Sequence, residues 1–502
     1  MNSKILDPRS AFIRYAPSIL ASAVITLLLS ISRRNDLSLT DWLLAFTLLL
    51  IPWLSYQNWR RERREGLPVF AMIALMYWIY YGLQLFWGDR AIEVADWASG
   101  REAEPEKITE AVALTLLGVF TLWLGLKSRL GARLAPRRDI ELSINPSRLS
   151  YVRLVLVLSS VLSFSEPSLL LFGSGVRQPL GIVISTVPML AFMLLFRRYL
   201  RGEANSLDKL LIVAFLVARS LGGLSSGWLG SFASIIIVCA AAYVAERHRM
   251  PRIALIAVVV FILFFQVGKN DFRNAYWTQP NEASKIERVS FWVNSSLELW
   301  RDALTDSSGT SVQTLFGRSL SRVSLLTQSA NVLEQTPRVV PYQYGRLYSY
   351  LFITWIPRFV WPNKPSVSEA NQFYQVTYGV TNEEDLDSVA IAVGVLIEAY
   401  ISFGWLGVVV IMFLLGIFFD FYLRLFFGPS SGTVLSSLGI VLLPQILGIE
   451  SQMAVYLGGI LQQALFSLLF LLPAFQWGSA RAVTPLATCD TRVTRPALNP
   501  TE

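Results

Sequence analysis

The stretch VVVIMFLLGIFF, Val408–Phe419, decides the fold, because its twelve consecutive residues include no charged or strongly polar side chain. Runs of similar character stand at Ala111–Leu126, at Ile253–Phe265 and around Ala21–Leu29. With their flanks these runs come near the length of about 20 residues that a membrane-spanning helix needs. Lipid offers the backbone no hydrogen-bond partner, so a spanning segment must be helical. The sequence therefore predicts an all-α polytopic membrane protein.

The overall composition supports this fold class. Hydrophobic residues make up 53% of the 502 residues and charged residues only 16%, whereas a soluble domain carries about 25% charged residues. The two cysteines, Cys239 in an apolar run and Cys489 near the C-terminus, predict neither a structural disulfide nor a metal cluster. We expect no cofactor and no metal. The first apolar run, Phe12–Ile31, lacks a convincing cleavage site and is predicted to be a retained helix.

The distribution of apolar residues predicts about twelve transmembrane helices. Their ranges are 11–31, 40–58, 67–87, 110–127, 150–170, 178–196, 207–224, 227–245, 252–268, 404–424, 433–449 and 453–475. Arginine and lysine cluster after the even-numbered spans, as in Arg60–Arg64 and Lys127–Arg138, which predicts that this side and both termini are cytoplasmic. The net charge of +8 is thus mainly a topology signal and does not indicate nucleic-acid binding.

Four regions follow from this topology. Residues 1–268 form an N-terminal transmembrane region of about nine helices, 269–403 a large extracytoplasmic loop, 404–476 a C-terminal region of about three helices, and 477–502 a disordered cytoplasmic tail. Within the loop, apolar residues recur at helical spacing in Ser284–Leu304 and Val312–Leu333, which predicts two amphipathic helices. These helices either pack on the bundle or lie on the membrane surface.

The loop contains a proline-rich basic block, IPRFVWPNKP, Ile356–Pro365. Between Ser307 and Ser368 the loop carries six cations and one anion, Glu334. The cations are Arg318, Arg322, Arg338, Arg346, Arg358 and Lys364. Because arginine forks match phosphate oxygens, this charge pattern favours an anionic ligand such as a diphosphate, while lipid headgroups remain the alternative partner.

Two charged residues stand in apolar surroundings. Arg219, in LLIVAFLVARSLGGL, lies near the extracytoplasmic end of the predicted seventh span, where a charge is usually kept for a partner or a pathway. The small residues of the turn 222–227 that follows would let a ligand approach the backbone. Glu398, in IAVGVLIEAYISF, is a candidate catalytic base, with a structural salt bridge to a loop arginine as the alternative.

Three segments resemble the bacterial O-antigen polymerases, the oligosaccharide repeat-unit polymerases of the Wzy type. They are the block Ile356–Pro365, the segment GVLIEAYISFGWLG at Gly394–Gly407, and ARSLGG at Ala218–Gly223. The layout of about a dozen spans with one large loop in the C-terminal half is also similar. Family members often carry Asn before the Phe-Gly pair, where this chain has Ser402.

The resemblance implies a GT-C type membrane glycosyltransferase in the bacterial inner membrane. It would transfer a glycan from an undecaprenyl-diphosphate carrier to a lipid-linked repeat unit on the periplasmic side, with membrane lipids and a chain-length regulator as further partners. The single histidine, His248, is predicted to be cytoplasmic, which separates the chain from the similar O-antigen ligases. Glu398 would then be the base or would order the site. The candidates for binding diphosphate and glycan are Arg219, Arg273, Arg346, Arg358, Lys364, Trp361 and Tyr350.

Two other functions remain open. A secondary transporter or a flippase for lipid-linked glycans is compatible with about twelve spans, but the long loop bearing the motif and the absence of a clear repeat between the halves disfavour it. A non-catalytic scaffold for polysaccharide assembly is the third possibility, and it predicts that changes to the loop cations are harmless.

Overall fold

Helices dominate the chain in the computed structural model. The structure describes residues 8–31, 37–61, 66–86, 105–136, 141–164, 174–277, 283–305, 323–354, 363–386, 393–428 and 431–477, together with the isolated residues 312, 315, 317, 319, 356, 360, 361 and 391. The predicted tail beyond 477 lies outside the described residues, as do Arg318, Arg322 and Arg358.

The first half of the described chain contains nine long or medium helices and two short ones. They are α1 (Pro8–Ile31), α2 (Leu39–Arg61), α3 (Val69–Tyr77), α4 (Pro105–Lys127), α5 (Leu130–Leu134), α6 (Leu149–Phe164), α7 (Ser174–Arg201), α8 (Ser206–Ser225), α9 (Leu229–Arg247), α10 (Arg252–Val267) and α11 (Lys269–Tyr276). Helix α3 continues through a π-helical turn, Trp78–Gly82, into a 3-10 turn, Leu83–Phe86.

The second half carries the loop and the last spans. Its helices are α12 (Lys285–Thr305), α13 (Leu326–Gln335), α14 (Ser349–Ile353), α15 (Glu369–Thr377), α16 (Val395–Phe427), α17 (Thr433–Leu447) and α18 (Met453–Leu471), with 3-10 turns at Arg346–Tyr348, Glu383–Asp385 and Leu472–Ala474. The described strands are β1 (Leu142–Ile144) and β2 (Phe475–Trp477).

The membrane prediction is confirmed in its general form. Seven described helices are long and apolar enough to cross a membrane by length and composition, or eight if the bent pair α10 and α11 counts as one span. They are Leu39–Arg61, Val69–Phe86, Glu106–Lys127, Val183–Arg201, Leu229–Arg247, Val395–Phe427 and Met453–Ala474. The chain is therefore a mostly helical polytopic membrane protein, and its described residues include one small two-stranded sheet.

The prediction of twelve spans is wrong as a count. The apolar part of α1, Tyr15–Ile31, and the helices α6 and α17 are too short to qualify, and α17 has only 15 residues. Helix α8 is long enough but carries three charged residues, Asp208, Lys209 and Arg219. Apolar composition located these helices, but hydropathy alone does not fix helix length.

Helices α4 and α16 form the central pair of the bundle, and they cross at glycines. A Cβ atom on Gly416 would collide with the carbonyl oxygen of Leu122 and would lie 2.9 Å from the Cα atom of Gly125. A Cβ atom on Gly125 would in turn collide with the carbonyl oxygen of Phe413. Small residues at such a crossing let two backbones approach closely, which is how helices associate in lipid.

A capping box begins α8 and a buried ion pair fixes it. The Asn205 side chain accepts a hydrogen bond from the Asp208 backbone N–H at 2.8 Å, and the Asp208 carboxylate accepts one from the Asn205 N–H at 3.3 Å. Both bonds satisfy backbone donors that a helix start leaves free. The same carboxylate, fully buried, accepts from Arg153 of α6 at 2.7 Å. The ion pair thus joins α6 and α8, neither of which meets the length and composition criteria for a membrane span by itself.

One end of the bundle is tied by a network of polar side chains. The guanidinium of Arg197 on α7 donates to Glu246 of α9 at 2.6 Å and to Ser436 of α17 at 2.5 Å. Asp420 of α16 accepts from the Ala132 backbone N–H at 2.9 Å and from Arg424 at 2.8 Å. These contacts occur at the end that the basic residues predict to be cytoplasmic.

The small sheet lies at the same end. Strands β1 and β2 are antiparallel, with Leu142 opposite Trp477 and Ile144 opposite Phe475. The pairing places β1, which follows the predicted fourth span, beside β2, which lies at the C-terminal end of the predicted last span. The charge-based topology requires these two segments to share a side.

The predicted amphipathic helix Ser284–Leu304 is confirmed as α12. Its Trp292 is fully buried and donates from Nε1 to the Phe265 carbonyl at 2.9 Å. With Phe265 and Phe272, Trp292 forms a second apolar cluster that is separate from the main core. The second predicted helix, Val312–Leu333, lies partly outside the described residues, and its described C-terminal part belongs to α13.

Candidate functional site

A short helical segment, residues 395–402, opens α16 and carries Glu398. Helix α16 breaks at Phe403 and Gly404, where Gly404 adopts φ 65° and ψ −150°. A Cβ atom on Gly404 would lie 2.8 Å from the hydroxyl oxygen of Tyr342, so the close approach of this loop residue also requires glycine. The break separates the segment bearing Glu398 from the long apolar part of the helix.

The loop caps this break with its backbone. The N–H groups of Gln343 and Tyr344 donate to the carbonyls of Ile401 and Ser402 at 3.0 and 2.9 Å. These carbonyls would otherwise lack partners, because the helix stops at Phe403. The capping segment runs directly into the 3-10 turn Arg346–Tyr348, so the loop and the segment 395–402 form one unit.

The Glu398 carboxylate lies at the N-terminus of α18. The side chain is fully buried, and its Oε2 accepts a hydrogen bond from the Met453 backbone N–H at 2.5 Å. A helix N-terminus offers free N–H groups and partial positive charge to a carboxylate. The second oxygen, Oε1, is buried and has no hydrogen-bond partner in the described chain. None of the ion pairs found among the described residues involves Glu398.

Two hydroxyl groups lie beside Glu398. Ser402 is one helical turn after Glu398 and is fully buried, while Tyr348 comes from the 3-10 turn of the loop. The Tyr348 and Ser402 hydroxyls lie close enough to interact with each other but bond to no third group within the described residues, and Glu398 Oε1 makes no hydrogen bond there. Burial, and next the charge of Glu398, hold the pKa of the Tyr348 phenol well above its usual value.

This group, Glu398, Tyr348 and Ser402, is called the carboxylate cluster below. Buried polar atoms in native proteins nearly always have partners, so a buried carboxylate oxygen that has none in the described chain, beside two hydroxyls that bond to no third group there, requires an explanation. A bound substrate group that supplies the missing hydrogen bonds is one such explanation. The sequence pointed to Glu398 and located Ser402 only as a departure from a family pattern. It did not single out Tyr348.

Gln452 is a further residue that the sequence did not reveal. It is fully buried at the N-cap position of α18, one residue before Met453. Its side-chain oxygen accepts from the Asn371 N–H at 2.8 Å, and its amide nitrogen donates to the Val367 carbonyl. Gln452 therefore attaches the loop segment 367–371 to the same helix terminus that holds Glu398.

Among the predicted cations, Arg346 is the nearest in sequence to a member of the carboxylate cluster, because it is two residues before Tyr348. It begins the 3-10 turn that ends at Tyr348, and its exposed guanidinium stands 5.1 Å from the centre of the Phe373 ring. A guanidinium over an aromatic face is held in place while its N–H groups stay available to a ligand. Tyr350 follows in α14 and is half-buried.

The basic block Ile356–Pro365 is described only in part, and Arg358 lies outside the described residues. Lys364 is buried, and its ammonium donates to the Ile356 carbonyl at 2.7 Å and to the Ile353 carbonyl at 3.4 Å. This lysine is thus engaged with the backbone of its own loop. Trp361 is exposed at the surface.

Arg219 and Arg273 lie in a different part of the molecule. Both belong to helices that contact α12 and the second apolar cluster, and the Nε atom of each is buried without a hydrogen-bond partner in the described chain. The Arg273 guanidinium stacks 4.3 Å from the centre of the Trp277 ring. The structure does not join either arginine to the carboxylate cluster by a contact among the described residues.

The small-residue turn 222–227 is packed at its C-terminal end. A Cβ atom on Gly227 would lie 2.5 Å from the Phe272 ring, and the Trp277 indole donates to the Ser226 carbonyl at 3.1 Å. Gly227 is needed for packing of α11 on the turn. No atom lies within 4 Å of a Cβ atom added at Gly222, so the expectation that this turn admits a ligand to the backbone stays a prediction for that position.

Comparison with known proteins gives a family but no function. No curated protein and no solved structure matches the chain. One family model, described as a domain of unknown function, DUF8712, matches residues 90–426. This range includes Arg346, Tyr348, Glu398 and Ser402 and covers more than half of the 502 residues. The chain belongs to the DUF8712 family.

Proposed function

We propose that the protein is a membrane glycosyltransferase of the GT-C type that polymerises lipid-linked oligosaccharide repeat units. The observation that carries the proposal is the Oε1 atom of the fully buried Glu398, which has no hydrogen-bond partner among the described residues and lies beside the Tyr348 and Ser402 hydroxyls. Perturbed and incompletely satisfied carboxylates of this kind are typical of catalytic sites. The resemblance of Gly394–Gly407 and Ile356–Pro365 to repeat-unit polymerases supplies the substrate class.

The reaction is the attack of an acceptor hydroxyl on the anomeric carbon of the donor glycan. The new bond joins the acceptor oxygen to that carbon, and the bond from the carbon to the diphosphate oxygen breaks. Undecaprenyl diphosphate leaves with the electron pair, and the acceptor proton passes to Glu398 Oε1. A positioned base of this type contributes about 10²–10⁴-fold to a rate.

Glu398 is fully buried, so the proposal includes a movement of the turn Arg346–Tyr348 that admits the acceptor. The Tyr348 hydroxyl makes no hydrogen bond to Glu398 among the described residues, so the turn can move without breaking a bond to the carboxylate. When the turn moves, the acceptor hydroxyl takes the position next to Oε1. Hydrogen bonds that are long or absent without substrate commonly form only in the substrate complex.

Arg346 is the cation proposed to stabilise the departing diphosphate. It is exposed, it shares the 3-10 turn with Tyr348, and its guanidinium is oriented by Phe373. Arginine can bind two phosphate oxygens at once, which suits a leaving diphosphate. Arg219, Arg273, Arg358 and Trp361 remain candidates for contacts with the remainder of the lipid-linked glycan.

The proposed location is the bacterial inner membrane, with the carboxylate cluster on the periplasmic side and both termini in the cytoplasm. The excess of arginine and lysine after even-numbered predicted spans supports this orientation. The β1–β2 pairing supports it as well, because two segments predicted to be cytoplasmic are adjacent.

A flippase or secondary transporter for lipid-linked glycans is the second candidate. It would use the same cations to bind the diphosphate but would make no new glycosidic bond. Purified protein in liposomes with undecaprenyl-diphosphate-linked repeat units, extracted from the cells that make the protein, distinguishes the two. We expect a ladder of products differing by one repeat unit, whereas movement of the lipid across the bilayer without a ladder identifies a flippase.

Arg346→Ala tests the site within the same assay. Removing one preorganised donor to a developing anion typically costs about 10²–10³-fold in rate. Arg338→Ala is the matched control, because Arg338 is an exposed arginine of the same loop. We expect the ladder to disappear with Arg346→Ala and to persist with Arg338→Ala. Equal ladders from both variants would remove Arg346 from the proposal.

A further inference from the structure

The loop segment that carries the basic block lies along the side of α18. Thr354, directly after α14, packs so closely on Gly458 that a Cβ atom there would collide with the threonine methyl group. The side-chain amide of Gln462 donates to the Thr354 carbonyl at 2.7 Å. The Thr354 hydroxyl lies 3.4 Å from the Ala454 carbonyl. Thr354 thus contacts one residue in each of the first three turns of α18.

This position is inside the span of α18. Gly458 follows Met453 by five residues and Gln462 follows it by nine, which corresponds to about 7 Å and about 13 Å along the helix axis at a rise of about 1.5 Å per residue. Met453–Leu471 has 19 residues, or about 28 Å, and the hydrocarbon core is about 30 Å thick. Nearly the whole helix is needed to cross the membrane, so Gly458 and Gln462 lie below the bilayer surface.

The backbone of the segment is satisfied by side chains. After α14 ends at Ile353, the Ile353 carbonyl accepts from the Ile356 backbone N–H at 3.1 Å, and the carbonyls of Thr354 and Ile356 have no backbone donor among the described residues. Lys364 donates to the first and the last of them, and Gln462 donates to the second. Irregular backbone at membrane depth occurs only where the protein satisfies its polar groups.

Large apolar side chains of the same segment are exposed. Phe352 is 76% exposed, Val360 63% and Trp361 40%. On α18 itself, Leu461 and Leu465 are exposed as well. The segment and the helix that it contacts therefore both present large apolar side chains at the surface. An exposed group of this kind marks contact with a partner or a membrane.

We infer that the described residues of the segment 349–364 belong to a re-entrant element that enters the extracytoplasmic half of the bilayer beside α18 and contacts lipid acyl chains through Phe352, Val360 and Trp361. The segment was predicted from the sequence to be part of the large extracytoplasmic loop. The inference does not depend on the proposed reaction. It assigns Lys364 a structural task within the element.

Nitroxide labels test the position of the segment. In a background with Cys239→Ala and Cys489→Ser, single labels replace Phe352 or Val360 in phosphatidylcholine liposomes. Leu465→Cys is the lipid-facing reference on α18, and Glu384→Cys is the aqueous reference, because Glu384 is an exposed acidic residue. We expect the ratio of oxygen to nickel-chelate accessibility at 352 and 360 to match that at 465 and to exceed that at 384 several-fold.

A second measurement uses the unmodified protein. Phosphatidylcholine with a diazirine at the end of one acyl chain is photolysed in the same liposomes, and mass spectrometry locates the adducts. We expect adducts on peptides containing Phe352 and Trp361 and none on the peptide containing Glu384. If the labels at 352 or 360 show the accessibility of 384, or if these peptides carry no adduct, the segment lies in water and the inference is wrong.

Discussion

The Met453 backbone N–H donates to Glu398 Oε2 at 2.5 Å, which joins the short helical segment before the break in α16 to the first turn of α18. Gln452, the neighbour of Met453, holds the loop segment 367–371 at the same place. One helix terminus therefore organises both the candidate catalytic carboxylate and the loop that carries the predicted cations. The predictions below separate what Glu398 does for stability from what it does for chemistry.

Variants of Glu398 should differ in stability according to whether they keep the bond to Met453. Glutamine retains an acceptor oxygen, so Glu398→Gln should be at least as stable as the wild type. Alanine leaves the buried Met453 N–H unpaired, which should lower the free energy of unfolding by about 1–3 kcal/mol relative to the glutamine variant. Thermal unfolding in detergent measures the difference. Equal melting temperatures for Gln and Ala would show that the hydrogen bond does not support α18.

Removal of the Tyr348 hydroxyl should be harmless. The hydroxyl is buried and interacts with no described group other than Ser402, so Tyr348→Phe removes a largely desolvated polar group and should change stability little. Polymer formation should persist, because the acceptor hydroxyl and not Tyr348 occupies the place beside Oε1 during reaction. The product ladder and the melting temperature are the readouts. A folded Tyr348→Phe protein without polymer would mean that the phenol itself transfers the proton.

The crossing of α4 and α16 should not tolerate a side chain at its centre. Gly416→Ala places a Cβ atom against the Leu122 carbonyl, and overpacking of this kind costs about 1–3 kcal/mol. Gly222→Ala is the control, because no atom lies within 4 Å of the added Cβ atom. In a helix that exchange should be neutral or stabilising by up to about 1 kcal/mol. Comparable melting temperatures for the two variants would contradict the glycine crossing.

Replacement of Lys364 should affect folding before it affects substrate binding. Lys364→Met leaves the Ile353 and Ile356 carbonyls without this donor, and we expect a loss of about 1–3 kcal/mol in stability. Lys209→Met, at an exposed lysine of α8, should have no effect on the melting temperature. If Lys364→Met unfolds like the wild type yet fails to bind undecaprenyl diphosphate, its role is that of a ligand-binding cation.

The sequence predicted those helices and candidate residues whose signal lies in neighbouring positions of the chain. The helical spacing of Trp292 and its neighbours predicted α12, and an isolated carboxylate in an apolar run pointed to Glu398. The number of spans was not predictable in the same way, because α17 and the apolar part of α1 are shorter than their apolar surroundings suggest. High hydropathy is found in residues that face lipid and in residues buried inside the protein, so it does not by itself give the number of spans.

Other features depend on contacts between distant residues. Lys364 looked like a phosphate-binding cation by its type and its neighbours, but its ammonium contacts backbone carbonyls of the folded loop. Gln452 and Tyr348 have ordinary surroundings in the sequence, and only the approach of the loop to α18 gives them a role. The contact between Gly227 and Phe272 likewise could not be read from a small-residue turn.

The most direct test of the account compares Glu398→Gln with the wild type in the purified polymerisation assay. Equal amounts of the two proteins are placed in the liposomes, and their melting temperatures are measured to show that both are folded. The amide can still accept from the Met453 N–H but has no basic oxygen for the acceptor proton, so the account predicts a loss of about 10²–10⁴-fold in the rate of chain growth. A ladder from Glu398→Gln as long and as rapidly formed as that of the wild type would contradict the central claim.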